Sequence, residues 1–549
     1  MAKNHLTSLL LLSASLAACQ ANPESEPPPG PEPDPGHPLE ARAVYVRASL
    51  DVRGTRPTSD ELVELESDPA RLEEMLDALV DDPRFAVRVA TVFADALRTR
   101  RDQHVVFRVD QYPGQSESDE AAFDHAIAEE PVHLFEYVAA NDRPLSEVVT
   151  ADYTIVDPIL LEVWPLAAVD PQPQGLPAGT IMARYNDGRP SAGAITTNSF
   201  MWRYLSTIEN AQRGRANAVS RIFLCADYLD RPIEFPEDVD LTDTQSIHDA
   251  IRENQACQGC HSTMDPLASH LWGFVAKGDD PITWASYHPE HTDYWKATTE
   301  VPPGYFGTPT GGYADSLGAA IAKDNRFATC AARRVYESLL GRPVTLADQG
   351  QLALHREALV GAGLSLKALV RSVLDDPAYR GAAVESELGG TPAPVPLKLL
   401  PPELMASSLS DLSDYRMEFH GRSVLRLDQA LRAVAGGSER GAATDASAGH
   451  ALVLRRLAEA TARSLSEGAH PDSRVGALLA ESDLSKPPSS QVISALYLEI
   501  RSRRVEPEGA EIRALGDLWS AVRTQTNDPT EAWTALFTAL FAHPTMETY

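Results

Sequence analysis

The stretch Val335-Tyr336-Glu337-Ser338-Leu339-Leu340-Gly341-Arg342-Pro343-Val344-Thr345-Leu346-Ala347-Asp348 decides the fold class. An apolar helix runs to Leu340 and stops at a turn. Thr345, with Asp348 three residues on, has the spacing that caps the next helix. Apolar residues through Leu369 and Val373 then recur at helical spacing, and Asp376-Pro377-Ala378-Tyr379 ends the run. The same pattern occurs earlier, from Tyr45 to Leu50 into Gly54-Thr55-Arg56-Pro57-Thr58 and Glu61. That copy continues through Leu72, Leu76 and Leu79 to Asp82-Pro83-Arg84-Phe85. A third copy runs from Leu496-Tyr497-Leu498 through Arg503-Arg504-Val505-Glu506 to His543-Pro544-Thr545-Met546. Each copy reads as a helical hairpin, not a catalytic site. Unlike material separates the copies, so the pattern is duplication and not a solenoid. The expected class is mainly α and multi-domain, with duplicated helical hairpins around a central segment.

The chain has 549 residues, enough for about three or four domains. Hydrophobic residues make up 43% and aromatics 7%, which supports globular cores. Forty-eight Lys and Arg against 78 Asp and Glu leave a formal charge of −30. Phosphates would be repelled, so no nucleic-acid partner is expected and the charge reads as solvation. Five Cys are too few for a disulfide framework.

The N-terminus points to a compartment. Lys3 precedes a short apolar run, Leu6 to Leu16, that reads as a signal-peptide core. It ends in Leu16-Ala17-Ala18-Cys19, which resembles the bacterial lipobox and implies a lipid on Cys19. The competing reading is an ordinary secretory signal with an incidental Cys. Residues 20–40 hold eight Pro and no aromatic, the composition of an extended tether. Gln20, not Asp, after the Cys favours an outer-membrane lipoprotein facing the periplasm or the cell surface.

The chemistry lies at Cys257-Gln258-Gly259-Cys260-His261. Cys-x-x-Cys-His is the attachment motif of c-type haem. Two thiols three residues apart on one helical turn reach both vinyl groups of one porphyrin, and His261 ligates the iron. The expectation is one covalent haem c held by Cys257, Cys260 and His261. The alternatives are a redox disulfide between Cys257 and Cys260, or half of a zinc site. Cys225 and Cys330 are left over, either as a disulfide closing this region or as two buried free thiols.

Other residues are weighed against that site. Met201 is the candidate distal ligand, with core packing as its competing reading. His248 and His270 are weaker candidates, and Met264 reads as packing at the haem edge. Asp265 reads as a turn cap or as a hydrogen-bond partner of a backbone amide, and Pro266 as the stop of the local helix. Arg213 and Arg221 read equally as partners of haem propionates or as surface residues. Asp238, Asp240 and Asp243 read as an acidic loop with a helix cap, because the Gly and Glu of an EF-hand are absent. Residues 166–195 and 279–315 read as loops, the first with short strands, packed around a site.

Several stretches resemble the planctomycete-type cytochrome c proteins, a multi-domain group. They are Arg47-Ala48-Ser49-Leu50-Asp51 through Arg56-Pro57-Thr58 to Pro83-Arg84-Phe85, Glu130-Pro131 through Asn141-Asp142-Arg143-Pro144 to Ala151-Asp152-Tyr153, and Ala192-Gly193-Ala194-Ile195-Thr196. Cys257 to Leu267, then Phe327, Cys330 and Leu340-Gly341-Arg342, complete the likeness. Asp265-Pro266-Leu267 match the group's haem segment. Ala268, Trp272, Val275 and Ile251 depart from it, away from the proximal attachment. The resemblance implies a helical, exported, haem-bearing protein, and it names a cofactor more firmly than a reaction.

The expected organisation is a lipoprotein signal peptide (1–19), a Pro-rich tether (20–40) and an N-terminal helical domain (41–185). A c-type haem-binding domain (186–298), a helical domain (299–386), a linker (387–402) and a C-terminal helical domain (403–549) follow. The expected function is a membrane-tethered monohaem c-type cytochrome that transfers electrons to an envelope redox partner. The alternatives are a haem-dependent oxidoreductase and a surface binding protein with structural haem.

Overall fold

Helices α1 (Ala41–Arg53), α2 (Ser59–Ser67), α3 (Leu72–Asp81), α4 (Arg84–Leu97) and α5 (Glu117–Ala140) open the chain in the computed structural model. Strands β1 (Thr154–Val156), β2 (Leu166–Ala168) and β3 (Ile181–Tyr185) follow. Next come α6 (Asn198–Arg203), α7 (Arg213–Leu224), α8 (Thr244–Glu253) and α9 (Gln255–Ala268), then the two-residue strands β4 (Gly304–Tyr305) and β5 (Thr308–Pro309). Helices α10 (Ala314–Lys323), α11 (Asn325–Leu340), α12 (Gln349–Gly361) and α13 (Leu366–Leu374) lead to the C-terminal set. That set is α14 (Pro402–Ser413), α15 (Ala448–Ser466), α16 (Arg474–Leu479), α17 (Ser490–Arg501), α18 (Ala510–Thr526) and α19 (Pro529–Phe541). The structure describes residues 39–100, 117–230, 239–240, 242–275, 286–381, 398–416, 448–468 and 470–543, with a few positions beside them. Cys19 and the tether lie outside the described residues, as does Asp238.

The protein is mainly α-helical, and the repeat is built as its spacing predicts. Helix α1 ends at Gly54 and α11 at Gly341, with φ of 75° and 67°. Glycine reaches this left-handed region without strain, which is why both turns carry it. In the third copy Ser502 holds the same position at φ 54°. Thr58 with Glu61 and Thr345 with Asp348 both form reciprocal capping boxes. The acid of each box is also gripped by an arginine. Arg53 Nη1 and Nη2 donate to Glu61 at 2.8 and 2.6 Å, and Arg342 donates twice to Asp348 at 2.8 Å.

This grip has a pH signature. Burial alone would raise the Glu61 carboxyl, but the Arg53 hydrogen bonds and charge override it and bring it from 4.5 to about 2. A carboxylate depressed by folding contributes its full stabilisation above the unfolded value and loses it as pH falls through the folded one. Glu61→Gln is therefore expected to lower stability at pH 7 and to flatten the acid limb between about pH 4.5 and 2. Urea unfolding across that range measures it, and an unchanged acid limb would count against the assignment.

The copies lie far apart in sequence and side by side in space. Arg371 Nη2 of the second copy meets Glu73 of the first at 2.8 Å, and Lys367 meets Asp81 at 2.6 Å. Glu499 of the third copy accepts the Ser59 backbone N–H at 3.0 Å, and Arg504 pairs with Glu66 at 2.8 Å. The solvent-facing pairs among these contribute little individually, and the apolar contacts beneath them matter more. One core runs continuously from Val44 to Tyr379, and a second gathers α14 to α19. Helix α1 serves both, with Val44, Tyr45, Ala48 and Val52 in the first core and Leu50 in the second.

Helix α5 starts well before Glu130 and passes through Pro131. The apolar face of Phe123, Ile127, Leu134, Phe135 and Val138 is buried on both sides of the proline, which outweighs one missing backbone bond. The segment after it forms an antiparallel sheet in the order β1-β3-β2, with Thr154 opposite Ala183 and Leu166 opposite Tyr185.

Candidate functional site

Helix α9 begins where Asn254 Oδ1 accepts the Ala256 N–H at 2.9 Å, and α8 where Asp243 Oδ1 accepts the Gln245 N–H at 3.1 Å. Cys257, Cys260, His261 and Met264 recur at helical spacing along one half-buried face of α9, while Gln258, Gly259 and Ser262 are exposed. Both cysteines are free thiols. The second half of the helix enters the main core, with Leu267 and Ala268 buried. Pro266 does not stop the helix, which continues to Ala268 and into a tighter turn, Ser269–Phe274. Burial of Leu267 and Leu271 holds that path, and Ser269 Oγ donates to the Asp265 carbonyl at 2.9 Å.

Asp265 is no turn cap. One helical turn after His261, its Oδ1 lies 2.9 Å from His261 Nδ1. Arg213, the first residue of α7, clamps the same carboxylate, Nε to Oδ1 at 2.8 Å and Nη2 to Oδ2 at 2.9 Å. Burial alone would raise the Asp265 carboxyl, yet the hydrogen bonds from Arg213 and His261 hold it below the ordinary value. The group is therefore an ionised, acceptor-only carboxylate at neutral pH. The neutral tautomer that suits this contact carries its proton on Nδ1 and its lone pair on Nε2.

Arg213 is itself held in place. Two residues on, the fully buried Arg215 donates to the carbonyls of Tyr204, Phe274 and Met201 at 2.7, 2.8 and 3.0 Å, and to Gln212 Oε1 at 2.7 Å. Burial brings the Arg215 guanidinium down to about 9. At its other end α7 is tied to α11 by a disulfide between Cys225 and Cys330. Tyr228, just beyond, shares a hydrogen bond of 3.0 Å with Thr263 on α9. Segment 299–310 packs over the buried half of α9, where Ser269 Oγ shares its single proton between the Asp265 carbonyl and the Val301 carbonyl, 2.7 Å away.

The remaining candidates fall elsewhere. Met201 is enclosed in the main core within α6, and Arg221 donates to the Ala96 carbonyl and to Tyr204 Oη. His270 is buried with both ring nitrogens engaged, Nδ1 near the Pro266 and Leu267 carbonyls and Nε2 2.6 Å from Thr310 Oγ1. Burial takes it from 6.5 to about 4. His248 is half-buried on α8. Asp240 caps its own loop through Thr242, and Asp243 caps α8. Among the described residues no group of three or more His, Cys, Asp or Glu side chains is placed to hold a metal ion.

This donor set fits covalent haem attachment. Two half-buried thiols share one helical turn, and the neighbouring imidazole has Nδ1 engaged and no hydrogen bond at Nε2 among the described residues. The pairing of Asp265 with Arg213 escaped sequence reasoning, although Asp265 stands four residues after His261, the spacing that lets side chains on one helix meet.

A family model described as PSD4, a protein of unknown function (DUF1592), matches residues 59–165. The matched stretch runs from α2 to just short of β2 and ends before α9. No curated protein and no solved structure matches the chain. Among the described residues no helix is long and apolar enough to cross a membrane.

Proposed function

We propose that the chain is a monohaem c-type cytochrome of the bacterial cell envelope, tethered through a lipid on Cys19 and passing electrons to an envelope partner. The observation that carries this is the face of α9, where two free thiols stand beside an imidazole whose Nδ1 is engaged by a buried carboxylate. Haem c, when bound, supplies a one-electron couple at iron. Cys257 and Cys260 would hold the porphyrin. His261 would ligate through Nε2, and Asp265 keeps its ring from turning.

One observation favours a second reading, a haem-dependent oxidoreductase. A carboxylate on the distant nitrogen raises the basicity of a histidine ligand, which suits reaction at iron as well as transfer through it. The deciding experiment is a reduced-minus-oxidised spectrum of protein from a host that matures cytochromes c, with and without carbon monoxide. A sharp low-spin α-band unmoved by carbon monoxide is expected for the carrier. A shifted Soret band would replace the carrier with the oxidoreductase, and absence of covalent haem would overturn both.

A further inference from the structure

Asp265 Oδ1 receives two donors, His261 Nδ1 at 2.9 Å and Arg213 Nε at 2.8 Å. The carboxylate is 3% exposed, so solvent does little to screen either partner. The two donors act on the ring in opposite senses. The negative carboxylate pulls the Nδ1 proton and pushes electron density toward Nε2. The guanidinium, bonded to the same oxygen, withdraws density from it and weakens that push. Arg213 cannot drift away, because Arg215 pins the start of α7 to three backbone carbonyls.

We propose that Asp265 and Arg213 are positioning residues that set the tautomer and the donor strength of His261, Asp265 raising that strength and Arg213 limiting it. The proposal rests on His261 being the proximal ligand of haem c. It assigns to Arg213 a role distinct from neutralising propionates, and it predicts opposite effects from two touching residues.

Two measurements test it. On the haem-loaded protein, Asp265→Asn is expected to favour the reduced state at least tenfold, a rise of about 59 mV for a one-electron couple. Arg213→Gln is expected to shift the potential the other way, and Arg213→Lys to restore most of it. Shifts of the same sign, or none, would overturn the proposal. The second measurement needs no haem. In the Cys257→Ala/Cys260→Ala protein, nitrogen-15 NMR of His261 is expected to show the proton on Nδ1. Adding Asp265→Asn should move the population toward Nε2–H. A proton on Nε2 with Asp265 intact would sink the proposal. If no haem is incorporated into the unmodified protein, the cytochrome reading and the role assigned to Arg213 fall together, while the NMR result still decides the role of Asp265.

Discussion

Replacing Asp51 by alanine is expected to destabilise the protein by about 3–5 kcal/mol, the usual cost of stranding one member of a buried ion pair. Asp51 on α1 receives Lys398 Nζ at 2.5 and 2.6 Å, Tyr379 Oη at 2.9 Å and Tyr549 Oη at 2.8 Å. Lys398 also donates to the Leu339 carbonyl at 2.9 Å, and it exchanges backbone hydrogen bonds with Tyr549 at 2.9 and 3.0 Å. Asp51 and Lys398 are 5% and 6% exposed, so neither charge has water to fall back on. Burial, with the Arg47 and Arg88 charges nearby, brings the Lys398 ammonium from 10.5 to about 8 despite its carboxylate partner. Without Asp51 that ammonium would stand beside the Tyr549 ring, 4.7 Å from its centroid, with one carbonyl for compensation. Urea unfolding measures the loss. The double variant Asp51→Leu/Lys398→Met should regain most of it, because an apolar pair leaves no uncompensated charge. A loss below 1 kcal/mol in Asp51→Ala would show that the cluster does not join the first core to the second.

The second large effect is chemical. Cys257→Ala with Cys260→Ala is expected to abolish covalent haem staining after expression in a cytochrome c-maturing host, while leaving the helical content unchanged. Both thiols lie on the half-buried face of α9, outside the apolar core, so their removal opens no cavity. The control is Cys225→Ser/Cys330→Ser. It removes a cross-link spanning 105 residues, so it should cost several kcal/mol in the loop-entropy account and yet keep the stain. Staining retained in the Cys257/Cys260 variant would refute the attachment site.

Much of this was legible in the sequence because the signals are local. A left-handed glycine after an apolar run, a threonine with an acid three residues on, and two cysteines and a histidine within five positions each act over one helical turn. Residues so close in the chain need no knowledge of the rest of the molecule to meet. For the same reason Asp265 was within reach of sequence reasoning, since four residues along a helix bring it under His261. Its Arg213 partner was not, because 52 residues separate the two and only the packing of α7 on α9 joins them.

Proline misled where burial outweighed it. Pro266 reads as a boundary, but it sits in a helix whose apolar face continues into the core, and several buried side chains outweigh one absent hydrogen bond.

Neighbours three and four residues apart suffice for the mainly helical class, the repeated hairpins, their caps and the clustering of two thiols and an imidazole. Tertiary structure alone decided that the three copies gather about α1, that Asp51 and Lys398 join across 347 positions, and that Arg213 holds the carboxylate behind His261. Those contacts exist because distant apolar faces must be buried against one another, and the polar groups carried in with them must find partners where packing leaves them.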